Sequence, residues 1–100
     1  MVYVTFTKVK ENERLTVRLE GRLDTTTAPL FEEALRNELD NIVCLVLDME
    51  KLEYLSSTGL RVFLMMAKRV GSDHLFVDNA NALVREIFDT TGFSSVVIVR

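Results

Sequence analysis

A chain of 100 residues that is 48% apolar and 27% charged, with four glycines and one proline, is one domain able to bury its own core, which excludes disorder and fibrous repeats. Its formal net charge of −3 weighs against a nucleic-acid partner, because such partners usually ask for a basic face. The single cysteine, Cys44, has no disulfide partner and lies in an apolar run, as expected in a reducing compartment. No secretory leader is recognisable and no apolar run approaches the roughly 18 residues of a membrane span, so a cytoplasmic protein without membrane insertion is expected.

Tyr3 to Val9 alternates between apolar and polar residues, the polar turn Lys10-Glu11-Asn12-Glu13 follows, and Leu15, Val17 and Leu19 then alternate with Thr16, Arg18 and Glu20. This is a β-hairpin with one buried face, closed at Gly21. Leu30, Phe31, Ala34, Leu35 and Leu39 recur at spacings of three and four, which predicts an amphipathic helix ending at Asn41. Its start lies within Asp24-Thr25-Thr26-Thr27, all capping residue types, and Pro29 fits its first turn. Val43 to Leu47 does not alternate and reads as a central strand covered on both faces, terminated by Asp48.

After a connecting stretch through Leu52 and Tyr54, Ser56-Ser57-Thr58-Gly59 leads into a helix over Leu60 to Val70. Its inward stripe is Leu60, Phe63, Leu64 and Ala67, widened by Val62, Met66 and Val70, while Arg61, Met65, Lys68 and Arg69 gather opposite; Gly71 ends it. Leu75 to Val77 is a further strand, stopped by Asp78-Asn79. Leu83, Val84, Ile87 and Phe88 mark a third helix, capped by Asn79 or Asn81 and ended at Gly92, and Val96 to Val99 is the last strand. The order predicts an α/β domain over residues 1–100 with a mixed, mostly parallel sheet and alternating helices. Residues 14–20, 43–48, 74–78 and 95–99 run parallel, with residues 2–9 as an antiparallel N-terminal edge strand.

Binding in an open parallel sheet takes place beyond the carboxyl ends of its strands. Three segments fit that description: Leu23-Asp24-Thr25, Ser56-Ser57-Thr58 and Asp78-Asn79. One hydroxyl suffices to cap a helix, and Gly59 frees the turn, but three consecutive hydroxyls exceed that need. A helix N-terminus also presents unpaired N–H groups and a partial positive charge that accept a phosphate.

The segments Gly21-Arg22-Leu23-Asp24-Thr25-Thr26-Thr27-Ala28 and Tyr54-Leu55-Ser56-Ser57-Thr58-Gly59-Leu60-Arg61-Val62 resemble the STAS domain of bacterial anti-sigma factor antagonists. The resemblance implies a binding protein whose unphosphorylated form engages an anti-sigma factor with serine-protein kinase activity and so frees a sigma factor. That kinase phosphorylates a serine at the start of the second helix, and a PP2C-type phosphatase reverses it. Matched to the family's Asp-Ser-Ser/Thr-Gly-Leu, Ser56 replaces the aspartate and Ser57 takes the phosphorylated position, with Ser56 and Thr58 as alternatives. The implied partner-binding residues are Asp24, Thr25, Ser56, Ser57, Thr58 and Arg61. The chain stops almost at the end of its last strand, without the closing helix that members usually carry, so it reads as a short or truncated member.

No catalytic residue, metal or cofactor is expected. His74 is the only histidine, the G-x-S-x-G elbow and glycine-rich nucleotide fingerprints are absent, and Asp24, Asp48 and Asp78 are scattered along the chain. Asp48 sits where a response-regulator receiver carries its aspartate, but the acidic pair after the first strand and the lysine after the last are missing. The competing reading is a STAS-like scaffold or subunit of a transport or stress-signalling complex that is not switched.

Overall fold

A computed structural model describes residues 4–100. The elements are β1 (Val4–Glu11), β2 (Arg14–Leu23), α1 (Ala28–Leu35), β3 (Cys44–Leu55), α2 (Ser57–Val70), β4 (Leu75–Asp78), α3 (Ala82–Thr91) and β5 (Ile98–Val99). One five-stranded sheet in the order β1-β2-β3-β4-β5 pairs β1 antiparallel to β2 and every later neighbour in parallel. That is the expected mixed sheet with its antiparallel edge; Val2 and Tyr3 of the expected edge strand lie outside the described residues.

Alternation along β2 buries Leu15, Val17, Leu19 and Leu23 on one face and leaves Arg14 and Arg18 exposed on the other. All three helices pack on the buried face: Phe31 and Leu35 of α1, Phe63 and Met66 of α2, and Val84 and Phe88 of α3 join Leu45, Leu47, Leu75 and Val77 in one cluster. Phe31 meets Phe63 edge to face, ring centroids 5.9 Å apart, which fixes α1 against α2. Val46 points the other way and lies outside this cluster, yet it is buried as well, so the central strand is covered on both faces as expected, although the helices all pack on one of them.

Several boundaries move, each for a local reason. Val43, expected in the strand, precedes it and is 56% exposed. Asp48 does not end β3, which runs on to Leu55 beside an equally extended β2. Two register shifts, between Arg18 and Glu20 and between Gly21 and Arg22 of β2, put Leu45, Leu47, Met49, Leu52 and Leu55 inward at spacings of two, two, three and three. Gly21 sits at the second shift with φ of +98°, a conformation that L side chains rarely adopt. The first helix ends at Leu35 and resumes only as a short 3₁₀ turn, Leu39–Asn41. Ala28, Phe31 and Leu35 form its buried line, which leaves Leu30 61% exposed rather than inward. In α3, Val84 and Phe88 are buried while Leu83 is exposed; Asn81, not Asn79, is the cap, accepting from the Val84 amide at 2.9 Å.

Only Ile98 and Val99 of the expected last strand pair with β4. A 3₁₀ turn, Phe93–Ser95, consumes the residues before it, with Phe93 stacked on Phe88 at 5.6 Å. Arg100 then pins the end of the chain, donating to both Asp78 carboxylate oxygens at 2.7 and 3.1 Å while its guanidinium lies 4.3 Å from the centre of the Phe76 ring.

Candidate functional site

The long β2–β3 pair ends in two loops that meet. The Ser56 amide donates to the Leu23 carbonyl at 2.9 Å, tying the exit of β3 to the exit of β2. Ser56 is the N-cap of α2, with extended backbone (φ −92°, ψ 172°), and its Oγ accepts from the Gly59 amide at 3.2 Å. Ser57 is therefore the first residue of α2; it is exposed, and its hydroxyl has no hydrogen-bond partner among the described residues. The Thr58 hydroxyl lies 3.4 Å from that of Thr25 in the β2–α1 loop. Arg61 follows one turn along the same helix and is exposed. The residues expected to act together thus share one edge, carried by two loops and the first turns of α2.

Gly59 has a different role from the turn freedom that its place suggests. It lies inside α2, and a β-carbon built there would come within 2.7 Å of Leu55 Cδ1 and 3.1 Å of Leu23 Cδ2. Its lack of a side chain lets the start of the helix seat directly on the strand ends.

Asp24 braces the other loop. Its Oδ1 accepts from the amides of Thr26 at 2.9 Å and Thr27 at 3.1 Å. Desolvation pushes this carboxyl up, but those amide bonds, the Thr27 hydroxyl and the charge of Arg22 outweigh it and hold the group below the usual carboxylate range. A depressed folded-state value gives stability that is present above the ordinary value and lost as pH falls through the lowered one. Asp24→Ala should therefore melt lower than wild type at pH 7, and the two curves should converge in acid; a difference independent of pH would refute this.

Thr27 is 3% exposed, and its Oγ1 accepts from the Asp24 amide at 2.9 Å and donates to the Arg22 carbonyl at 2.7 Å. Thr27→Val would leave both groups without their partner at the cost of about 1–3 kcal/mol, whereas Thr26→Ala, exposed, should cost well under about 1 kcal/mol. Urea melts of the two variants check the contrast. At the same end, the Arg22 guanidinium lies 4.4 Å from the centre of the Tyr54 ring, a cross-strand pair that the sequence reading did not single out.

The third expected segment is not part of this edge. Asp78 pairs with Asp48 in register, while β3 continues seven residues further to Leu55. At about 3.3 Å per residue that puts Asp78-Asn79 roughly 20 Å short of Ser56. Asn79 instead donates to Asp48 at 3.2 Å, and Asp48 also faces Arg18 at 3.5 Å. Asp24, Asp48 and Asp78 are accordingly each committed to different partners. His74 is exposed, with Nδ1 3.2 Å from the Val70 carbonyl. Among the described residues no helix is long and apolar enough to cross a membrane.

Comparison with known proteins agrees with this architecture. The profile of the STAS domain matches residues 5–100, and the chain belongs to that family. It is 31% identical over 94 residues to the anti-sigma-B factor antagonist of Bacillus subtilis, covering 89% of this chain and 84% of that protein. It is 35% identical over 81 residues to BtrV of Bordetella bronchiseptica, a protein named provisionally as an anti-sigma factor antagonist, covering 78% and 70%. Among solved structures, the anti-sigma factor antagonist SpoIIAA shares the fold in both of its states. The unphosphorylated form matches with a TM-score of 0.83 at 17% identity, covering 96% of this chain and 88% of that one. The phosphorylated form, from Bacillus, matches with 0.75 at 16%, covering 96% and 91%.

Proposed function

We propose that this chain is an anti-sigma factor antagonist working in the cytoplasm through binding rather than catalysis. Its unphosphorylated form engages an anti-sigma factor that is also a serine-protein kinase, and the sigma factor held by that partner is released. In the reverse step the Ser57 hydroxyl oxygen attacks the γ-phosphorus of the kinase's ATP, ADP leaves, and the hydroxyl proton passes to a base on the kinase. A PP2C-type phosphatase then hydrolyses the phosphoserine to serine and inorganic phosphate.

The observation that carries this reading is the division of labour among three adjacent hydroxyls. Ser56 is spent as the cap and Thr58 faces Thr25, whereas Ser57 is exposed with its hydroxyl unengaged. A kinase can reach the Ser57 hydroxyl without breaking the cap that starts the helix. Asp24, Thr25, Ser56, Thr58 and Arg61 surround it as the partner-binding edge. The test is a titration of the cognate anti-sigma factor into the purified chain with ADP and then with ATP. Binding with ADP, followed by release as one phosphate is added to the chain, is the expected result. Absence of binding in both nucleotide states would refute the assignment.

A further inference from the structure

Helix α2 carries a second feature along the face that begins at Ser57. Positions 57, 61, 65 and 68 are spaced four, four and three apart, so they form one stripe, and all four residues are exposed. The stripe reads serine, arginine, methionine, lysine, and α2 contains no acidic residue at all. Among the described residues neither Arg61 nor Lys68 has an ion pair, whereas the neighbouring Arg69 is held by Asp40 and Arg36 by Glu32 and Glu33. Met65, 39% exposed, sits between the two free cations. It borders a shallow groove between α1 and α2 lined by Pro29, Glu32, Thr58, Arg61 and Val62. On a chain whose net charge is −3, this is a local basic strip with an apolar centre.

We infer that the Arg61–Met65–Lys68 strip docks an acidic segment of the partner bearing an apolar anchor, and that phosphate on Ser57 cancels the strip by capturing Arg61. The inference rests on the antagonist reading given above. Residues four apart on a helix have β-carbons about 5–6 Å apart, well within the reach of an arginine fork to a phosphate. Two free cations define the strip, and a phosphoserine brings about −1.5 to −2 charges at neutral pH. Modification therefore takes the strip from attractive to neutral for an acidic segment, and it does so with the helix in place. The free methionine contributes area without directional demand, which suits an anchor contact rather than a polar one.

Two measurements decide it. Binding of unphosphorylated chain to the cognate anti-sigma factor should weaken at least tenfold for Arg61→Glu and for Lys68→Glu, and should fall with added salt. Lys10→Glu, at the opposite end of the sheet, should bind as wild type does. Phosphorylated wild type should lose more affinity than phosphorylated Arg61→Gln, measured each against its own unmodified form. Silent charge reversals in a wild type that does bind, or equal phosphate effects in the two backgrounds, would overturn the inference while leaving the antagonist reading standing. The second measurement needs no partner: a ³¹P titration of chain carrying phosphoserine at position 57. The phosphate paired with Arg61 should lose its second proton at lower pH in the wild-type background than in Arg61→Gln, and coincident midpoints would exclude the pairing. Failure of the wild type to bind at all would remove the antagonist reading and the docking strip together, with the ³¹P midpoints still deciding the role of Arg61.

Discussion

A Gly59→Val protein is expected to lose on the order of 3 kcal/mol of stability, a large share of the total for a domain of this size. The added β-carbon alone would lie 2.7 Å from Leu55 Cδ1 and 3.1 Å from Leu23 Cδ2, and both leucines are buried in the core, where close packing makes each displacement costly. Valine adds two methyl groups to that collision and has a poorer helix propensity than alanine. Gly59→Ala is the informative companion. It gains about 1 kcal/mol of helix propensity against about 1–3 kcal/mol of overpacking, so it should lie between neutral and mildly destabilising. Urea midpoints measure both. A Gly59→Val chain as stable as wild type would mean that α2 does not seat on the strand ends. Since Ser56 to Thr58 ride on that seat, the same substitution should displace the hydroxyls from the Thr25 loop.

The features legible in the sequence are those written in one period over a long window. β2 alternates cleanly because one face is core and the other is not, and α2 repeats its buried stripe over fourteen residues, so the pattern of each gives its inward face correctly. β3 hid its second half because the register shifts break the period of two: Met49 and Leu52 are both buried three residues apart, and no simple alternation links them. α1 misled for the opposite reason. Leu30 has the spacing of an inward residue, yet in two turns of helix the line through Ala28, Phe31 and Leu35 already faces the core.

The site shows the same division. Its chemistry, hydroxyls at a strand-to-helix junction, is local and was readable from Ser56 to Thr58. What sequence could not supply is strand length. The extension of β3 to Leu55 carries the Ser56 edge past Asp78-Asn79 and leaves only two of the three expected loops together. Nor could sequence divide the labour among the hydroxyls, since Ser56 and Ser57 are equally good caps by residue type. The cap falls on Ser56 because its amide is tied to the Leu23 carbonyl, which fixes where the strand ends and the helix begins.

Phosphorylation of Ser57 should weaken binding to the anti-sigma factor by roughly a hundredfold or more while leaving the fold intact. The first turn of α2 has amides that the helix cannot satisfy internally and lies at the positive end of its dipole, so a dianion there is electrostatically welcome. The melting temperature of the phosphorylated chain should therefore equal or exceed that of the unmodified one. The cost falls on the interface, where a desolvated phosphate facing the partner is worth a few kcal/mol, and each 1.4 kcal/mol is tenfold in Kd. Ser57→Ala should bind as tightly as wild type and take no phosphate, and Ser57→Asp should bind with intermediate weakness, since one carboxylate carries less charge than a phosphate. Ser56→Ala separates the neighbouring hydroxyls: it should lose about 1 kcal/mol of stability with the cap, yet still be phosphorylated. Phosphosite mapping and titration of each variant, with a urea melt for Ser56→Ala, read all four outcomes. Phosphate found on Ser56 or Thr58 alone would move the assignment, and equal affinity of modified and unmodified chain would end it.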